Sequence, residues 1–180
     1  IFTISVVNQK FSTRLIFTFA EIMKEITNRE LTIKDLKTFL QQPKESIHVS
    51  EESLKKVAAN RAFLEQKLQE KNATYYGINT GFGALYDVAI NENQLEQLQQ
   101  NLVMSHACGM GDEVRSEVVR LMMLLKIKGL SLGHSGISTE VIQLLTAMLN
   151  NDILPVVWEV GSLGASGDLA PLAHLSLPLL

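Results

Sequence analysis

Three glycines at a spacing of three residues are the feature that most constrains the fold of this chain. They are Gly161, Gly164 and Gly167. Because glycine has no Cβ, the stretch 161–172 can turn tightly and bring one backbone group against another. Asp168 is predicted to cap the helix that follows. Pro171 fits the first turn of that helix, where no amide donor is needed.

The residues of this stretch admit three interpretations. The most common use of such a loop is a turn that leads into a buried helix. A phosphate cradle is disfavoured, because no lysine follows the glycines and the carboxylate of Asp168 would repel an anion. In the third interpretation, the amide nitrogen of Gly167 attacks the carbonyl carbon of Ala165 with loss of one water, and the side chain of Ser166 leaves as a second water. The product is a five-membered ring with an exocyclic methylene, which is an electrophile.

Two further blocks of sequence accompany the glycine stretch. They are YGINTGFG at residues 76–83 and NLVMSHACG at residues 101–109. Together, the three blocks resemble the signature of the aromatic amino acid ammonia-lyase family over roughly residues 31–180. The likeness is strongest to the amino-terminal portion of its histidine-specific branch, the histidine ammonia-lyases. In that family, Ala-Ser-Gly cyclises autocatalytically to methylidene-imidazolone (MIO).

The resemblance implies a role for residues in each block. Ala165, Ser166 and Gly167 would form MIO, so no external cofactor is expected. Tyr76 matches the family's acid–base tyrosine. A phenol ionises near pH ~10 in water and acts as a base near neutrality only where positive charge or hydrogen bonds stabilise its anion.

Ser105 and His106 match the pair that lines the pocket around the substrate's side chain. A Ser-His pair resembles the histidine-specific branch, whereas tyrosine-specific relatives carry the histidine one residue earlier and phenylalanine-specific relatives carry Phe-Leu. An imidazole substrate both donates and accepts hydrogen bonds, so a polar pocket wall suits it. Without the motif, a histidine on a helical stripe is more often a buried residue with a satisfied hydrogen bond. His174 and Cys108 are predicted to be structural, the first buried and hydrogen-bonded and the second a small packing residue.

The expected activity is the conversion of L-histidine to trans-urocanate and ammonia by a cytoplasmic homotetramer. The alternatives are a tyrosine or phenylalanine ammonia-lyase, an aminomutase, or an inactive truncated remnant, because the family's later asparagine, arginine and glutamate motifs are absent from this chain. We expect residues 1–22 to be upstream or non-native sequence. Residues 23–180 would then be the amino-terminal, MIO-bearing domain of such an enzyme, truncated at its carboxyl end.

Composition narrows the remaining classes of function. The formal net charge is −3, which provides no basic footprint for nucleic acid or an acidic membrane. A single cysteine excludes an internal disulfide framework and fits a reducing compartment. The four histidines are scattered without the spacing of a metal site, so none is expected. Neither nucleic acid nor a membrane is expected as a partner, and the partner that the family resemblance implies is a small amino acid substrate.

Helical periodicity predicts a mainly α-helical, bundle-type domain, the amino-terminal part of the fumarase/aspartase-like ammonia-lyase fold that the resemblance implies. No strand alternation is apparent. The predicted helix starts are a capping box at Thr32 to Asp35, then Ser50, Asn91, Asp112, and Ser138 or Thr139. The corresponding helices are predicted to end near Pro43, about Lys71, near Cys108, about Lys128 and at Asn150.

Overall fold

The computed structural model describes residues 24–70, 74–161, 163–164 and 167–180. Residues 1–22, which we expect to have no functional role, lie outside this part. The α-helices of the described residues are α1 (Ile33–Gln41), α2 (Glu51–Leu68), α3 (Glu92–His106), α4 (Ser116–Leu130), α5 (Thr139–Asn150) and α6 (Ala170–Ser176). The strands are β1 (Glu25–Ile26), β2 (His48–Val49), β3 (Met110–Glu113), β4 (Trp158–Val160), β5 (Leu163–Gly164) and β6 (Gly167–Asp168). The predicted mainly α-helical class is confirmed.

Local capping signals explain where several helices begin. The backbone N–H of Asp35 donates to the Thr32 hydroxyl at 3.2 Å, and the Asp35 carboxylate accepts from the Thr32 N–H at 2.8 Å. This reciprocal pair is the predicted capping box of α1. The hydroxyl of Ser50 accepts from the N–H of Ser53 at 3.2 Å at the start of α2. Ser138 is the N-cap residue of α5. These three predicted starts are confirmed.

The chain divides into two compact units, of which the first contains residues up to Arg61 and Leu121–Ile153. In this unit β1 pairs in parallel with β2. The side chain of Asn150 accepts from the N–H of Ile47 at 2.9 Å and donates to the carbonyl of Ile47 at 2.8 Å, which ties the end of α5 to the residue before β2. Within this unit, the buried apolar residues of α4 and α5 are Met123, Leu124, Ile127, Leu130, Ile142, Leu145, Met148 and Leu149.

The second unit contains Ala62–Arg120 and Leu154–Leu180. Its strand β3 pairs antiparallel with β4, and α6 packs against both α3 and β4. The buried side of α6 contains Ala170, Ala173 and Leu175. The short helix α6 therefore packs its buried side within this unit, against α3 and β4.

The structure corrects two predicted boundaries. Asp112 does not cap a helix, because it lies in β3, and α4 begins only at Ser116. Gly111 has φ of +86°, a conformation outside the helical region, and the pairing with β4 keeps this segment extended. Helix α2 ends at Leu68 rather than at about Lys71.

Candidate functional site

The loop that carries Tyr76 is closed by a small ladder of backbone hydrogen bonds. The N–H of Gly81 donates to the carbonyl of Val88 at 3.0 Å, and the N–H of Ile90 donates to the carbonyl of Asn79 at 2.9 Å. The Asn79 side chain also accepts from the N–H of Tyr75 at 2.6 Å. Gly77 turns the chain with φ of +76°. These bonds hold the segment as a closed loop, to which Asn79 contributes through both its backbone and its side chain.

Tyr76 and its neighbour Tyr75 have different environments. The ring of Tyr76 is 64% exposed and meets the ring of Phe82 edge-on, with centroids 5.9 Å apart and planes at 65°. This is a favoured aromatic geometry, in which Phe82 packs against Tyr76. The hydroxyl of Tyr75 instead lies 3.4 Å from the Glu70 carboxylate. Only Tyr76 is therefore placed beside the candidate cavity described below.

His106 is the last residue of α3, and its ring is held by its own helix. Its Nδ1 lies 2.8 Å from the carbonyl oxygen of Leu102. Because a carbonyl oxygen only accepts, Nδ1 must carry the hydrogen, and the neutral ring keeps Nε2 as an acceptor. Ser105 is exposed, and its hydroxyl donates to the same carbonyl oxygen at 2.9 Å. The two members of the predicted substrate pair therefore differ in what they can offer a ligand. The hydroxyl of Ser105 donates its hydrogen within α3, whereas His106 keeps Nε2 as an acceptor.

A hydrogen bond joins the segment after His106 to α6. The N–H of Gly109 donates to Nε2 of His174 at 2.9 Å, and His174 is only 7% exposed. The prediction of a buried, hydrogen-bonded His174 is confirmed. Cys108 is exposed, so its predicted packing role is wrong. The close contact falls on the adjacent Gly109, where a Cβ would lie 2.7 Å from that Nε2 atom.

The glycine stretch forms a short hairpin. Strands β5 and β6 pair antiparallel, with Gly164 opposite Gly167. Ala165 and Ser166, which connect the two strands, lie outside the described residues. Gly167 has φ of +94°, and a Cβ built on it would meet nothing within 4 Å, so backbone conformation rather than crowding favours glycine there.

The predicted cap at Asp168 is wrong by one residue. Leu169 is the N-cap of α6, which begins at Ala170 with Pro171 in its first turn. The reason is that Asp168 still belongs to β6 and pairs with Leu163, so the chain cannot enter the helix before Leu169. The predicted place of Pro171 is confirmed.

One cavity of about 430 Å³ in the second unit brings two of the three blocks together with the helix that follows the third. It is lined by Tyr76, Phe82, Gly83, Leu102, Val103, His106, Leu169, Leu172, Ala173 and Ser176. The predicted residues Tyr76 and His106 thus share one cavity. Sequence reasoning missed the wall formed by α6, although the spacing of Leu169, Leu172, Ala173 and Ser176 places them on one helical face.

The cavity is lined mainly by apolar groups, with a few polar groups among them. The Tyr76 hydroxyl and the His106 imidazole are two of them. The Ser176 hydroxyl is the third, and it donates back to the carbonyl of Leu172 at 2.8 Å. None of the described lining residues is a lysine or arginine that could hold a carboxylate. The cavity therefore suits a side chain with a flat apolar body and one hydrogen-bonding edge.

Comparison with known proteins places this arrangement among lyases. The family model described as aromatic amino acid lyase matches residues 31–180. Histidine ammonia-lyase of Deinococcus radiodurans is 48% identical over 155 residues, which are 86% of this chain and 29% of that protein. The crystal structure of histidine ammonia-lyase from Trypanosoma cruzi gives a TM-score of 0.75 at 33% identity, covering 87% of this chain and 30% of that one.

An enzyme named for a different activity has a similar fold. Tyrosine aminomutase from Streptomyces globisporus gives a TM-score of 0.75 at 30% identity, covering 84% of this chain and 28% of that one. This chain thus spans less than a third of the length of each of these proteins. In the residues that the structure describes, no helix is both long and apolar enough to cross a bilayer. Because the family model matches well over half of the sequence, the chain belongs to the aromatic amino acid lyase family.

Proposed function

We propose that the protein containing this chain is a histidine ammonia-lyase, which converts L-histidine to trans-urocanate and ammonia. Membership of the lyase family supports the reaction class. The choice of histidine rests chiefly on one observation, the hydrogen bond from His106 Nδ1 to the Leu102 carbonyl. It leaves Nε2 of a cavity-lining residue free to accept the N–H of a substrate imidazole.

Ala165, Ser166 and Gly167 are proposed to form MIO, and the described backbone around them fits such a ring. Gly164 and Gly167, which flank Ala165 and Ser166 in the sequence, lie opposite each other in the pairing of β5 with β6. Gly167, whose nitrogen would close the ring, has a φ of +94° that other residues rarely adopt. When formed, the ring supplies a soft electrophile for the substrate.

Tyr76 is proposed as the acid–base residue. Its exposed ring lines the same cavity as His106, and the edge-on contact with Phe82 limits where its hydroxyl can lie. His106 would orient the imidazole of the substrate, with Ser105 supporting it through their shared acceptor, the Leu102 carbonyl oxygen. The flat apolar walls from α3 and α6 would pack against the faces of that imidazole ring.

Residues 23–180 are proposed to form the MIO-bearing part of a larger enzyme. The family resemblance implies that further asparagine, arginine and glutamate residues complete the site in a cytoplasmic homotetramer. The described cavity fits this view, since none of its lining residues offers a cation for the substrate carboxylate. Residues 1–180 alone are therefore expected not to turn over histidine.

The test is the intact mass of the full-length protein, with peptide mapping across residues 160–172. We expect a mass lower by two waters, localised to residues 165–167, and formation of urocanate from L-histidine. Ser166→Ala should abolish both. Ser162→Ala, a serine in the same glycine stretch, is the matched control and should retain both. An active enzyme with an unmodified tripeptide would contradict the proposed electrophile.

An aminomutase is the second candidate, because tyrosine aminomutase has the same fold over this region. Assays with L-tyrosine and L-phenylalanine separate the two. A β-amino acid product from either substrate, without urocanate from histidine, would replace the first proposal.

A further inference from the structure

The bond between Gly109 and His174 links two walls of the candidate cavity. One wall is the end of α3, where His106 lies three residues before Gly109. The other wall is α6, which contributes Ala173 and Ser176 on either side of His174. The donor and acceptor are 65 residues apart in sequence, and the bond is 2.9 Å long. The hydrogen bond is therefore a direct contact between two elements that are far apart in sequence.

The bond fixes which ring nitrogen of His174 carries the hydrogen. A backbone N–H can only donate, so Nε2 of His174 must accept and carry no hydrogen. The ring is then neutral, with its proton on Nδ1. Because His174 is 7% exposed, water cannot readily replace the bond, and its loss would leave the Gly109 N–H without this partner.

The contact leaves no room for a side chain at residue 109. A Cβ at residue 109 would lie 2.7 Å from His174 Nε2 and 2.8 Å from the Cβ of Trp158. The backbone can approach the imidazole only because residue 109 has no side chain. Gly109 and His174 therefore both favour this close contact, and a substitution at either residue tests it.

We propose that His174 is a positioning residue that sets the distance between the His106 wall and the α6 wall, and thereby how tightly the cavity holds the substrate's side chain. This inference rests on the proposed function. His174 does not itself line the cavity. Its effect passes through the backbone of residues 107–109 to His106, the residue proposed to select the substrate.

The experiment compares variants of the full-length enzyme. His174→Leu keeps the bulk and removes the acceptor, whereas His174→Gln keeps an acceptor near the position of Nε2. We expect His174→Leu to raise KM for histidine about ten- to hundred-fold, with a smaller change in kcat, and His174→Gln to recover most of the loss. Gly109→Ala should reproduce the effect of His174→Leu. Leu175→Val, which removes a methylene from the adjacent buried residue, is the control and should leave KM near the wild-type value.

A second readout does not depend on activity. Nitrogen-15 NMR of the enzyme labelled at histidine should show the Nδ1–H tautomer for His174, with the signal assigned by its absence in His174→Gln. A protonated Nε2, or an unchanged KM in a folded His174→Leu enzyme, would overturn the inference. If the wild-type enzyme does not act on histidine, the proposed function fails. In that case the NMR result alone decides whether the hydrogen bond between Gly109 and His174 exists as described.

Discussion

The ring of Phe82 stands edge-on to the ring of Tyr76, with the two centroids 5.9 Å apart. Such a contact contributes about 0.5–1.5 kcal/mol beyond the area it buries, enough to bias one orientation of an otherwise exposed side chain. The loop ladder between residues 79–81 and 88–90 holds both rings on one short segment. Phe82 therefore orients the residue proposed to transfer protons.

Phe82→Leu should lower kcat about ten-fold with little change in the stability of the fold, because the Tyr76 ring loses its partner and its hydroxyl samples more positions. Steady-state kinetics with histidine measure this. Phe63→Leu is the control, since Phe63 is an exposed ring on α2 with the Lys67 ammonium 5.8 Å from its centroid. Equal kcat values for the two variants would show that the edge-on contact does not matter for catalysis.

Tyr76→Phe should reduce kcat by about 100-fold or more, because it removes the proposed acid–base hydroxyl and keeps the ring beside Phe82. Tyr75→Phe removes the neighbouring hydroxyl, which makes only long contacts of 3.4 Å to Glu70 and 3.5 Å to the Lys67 carbonyl. That variant should stay close to wild type. Both should still lose two waters on mass analysis. A Tyr75→Phe enzyme that is the more damaged of the two would reverse the assignment.

His106→Phe should lower kcat/KM for histidine about 100-fold and raise the relative rate with phenylalanine, because the acceptor for the substrate N–H is lost. Ser105→Ala should have a smaller effect, since the Ser105 hydroxyl already donates to the Leu102 carbonyl. The measurement is kcat/KM for histidine, tyrosine and phenylalanine with each variant. Unchanged selectivity in His106→Phe would remove His106 from substrate recognition.

Asp35→Asn should destabilise the protein by about 2 kcal/mol at neutral pH, because charged hydrogen bonds are replaced by neutral ones. The Asp35 carboxylate accepts from the Thr32 N–H, the Thr32 hydroxyl and Arg29, at 2.8–3.0 Å. Burial raises the pKa of Asp35, but these hydrogen bonds and the Arg29 charge lower it further, so the net pKa lies below its ordinary value.

The sign of the pH dependence follows from that lowered pKa. The stabilisation by Asp35 is complete above the pKa of an unfolded aspartate, about 4, and is lost as the pH falls through the lower folded value. The difference in unfolding free energy between wild type and Asp35→Asn should therefore be constant from about pH 7 to 5 and shrink below about pH 4. Urea denaturation at several pH values measures it, with Glu159→Gln on the exposed β4 as the control. A difference that grows in acid would contradict the lowered pKa.

Several helix starts could be predicted from the sequence because the hydrogen bonds that cap them are local. Thr32 and Asp35 satisfy each other's backbone groups within one turn, and Ser50 does the same for Ser53. A cap of this kind needs no information from distant residues. The same is true of the loop around Asn79, whose side chain accepts from a backbone N–H four residues away.

Errors arose where pairing with another strand competes with a local cap. Asp112 and Asp168 both precede helices and both have side chains suited to capping. Each lies instead in a strand, paired with β4 and β5 respectively. Strands of two to four residues are too short to show a clear alternation, so these strands were not predicted from the sequence.

By itself, the sequence determined the helical class and the family, and it led to the proposal of Tyr76 and His106 as site residues, because helical periodicity and contiguous motifs are local properties of the chain. Only the tertiary structure decided which distant residues face one another, namely the α6 wall of the cavity and the bond from Gly109 to His174. The physical reason is separation along the chain. A contact between residues 109 and 174 depends on the packing of everything that lies between them, and no local pattern specifies it.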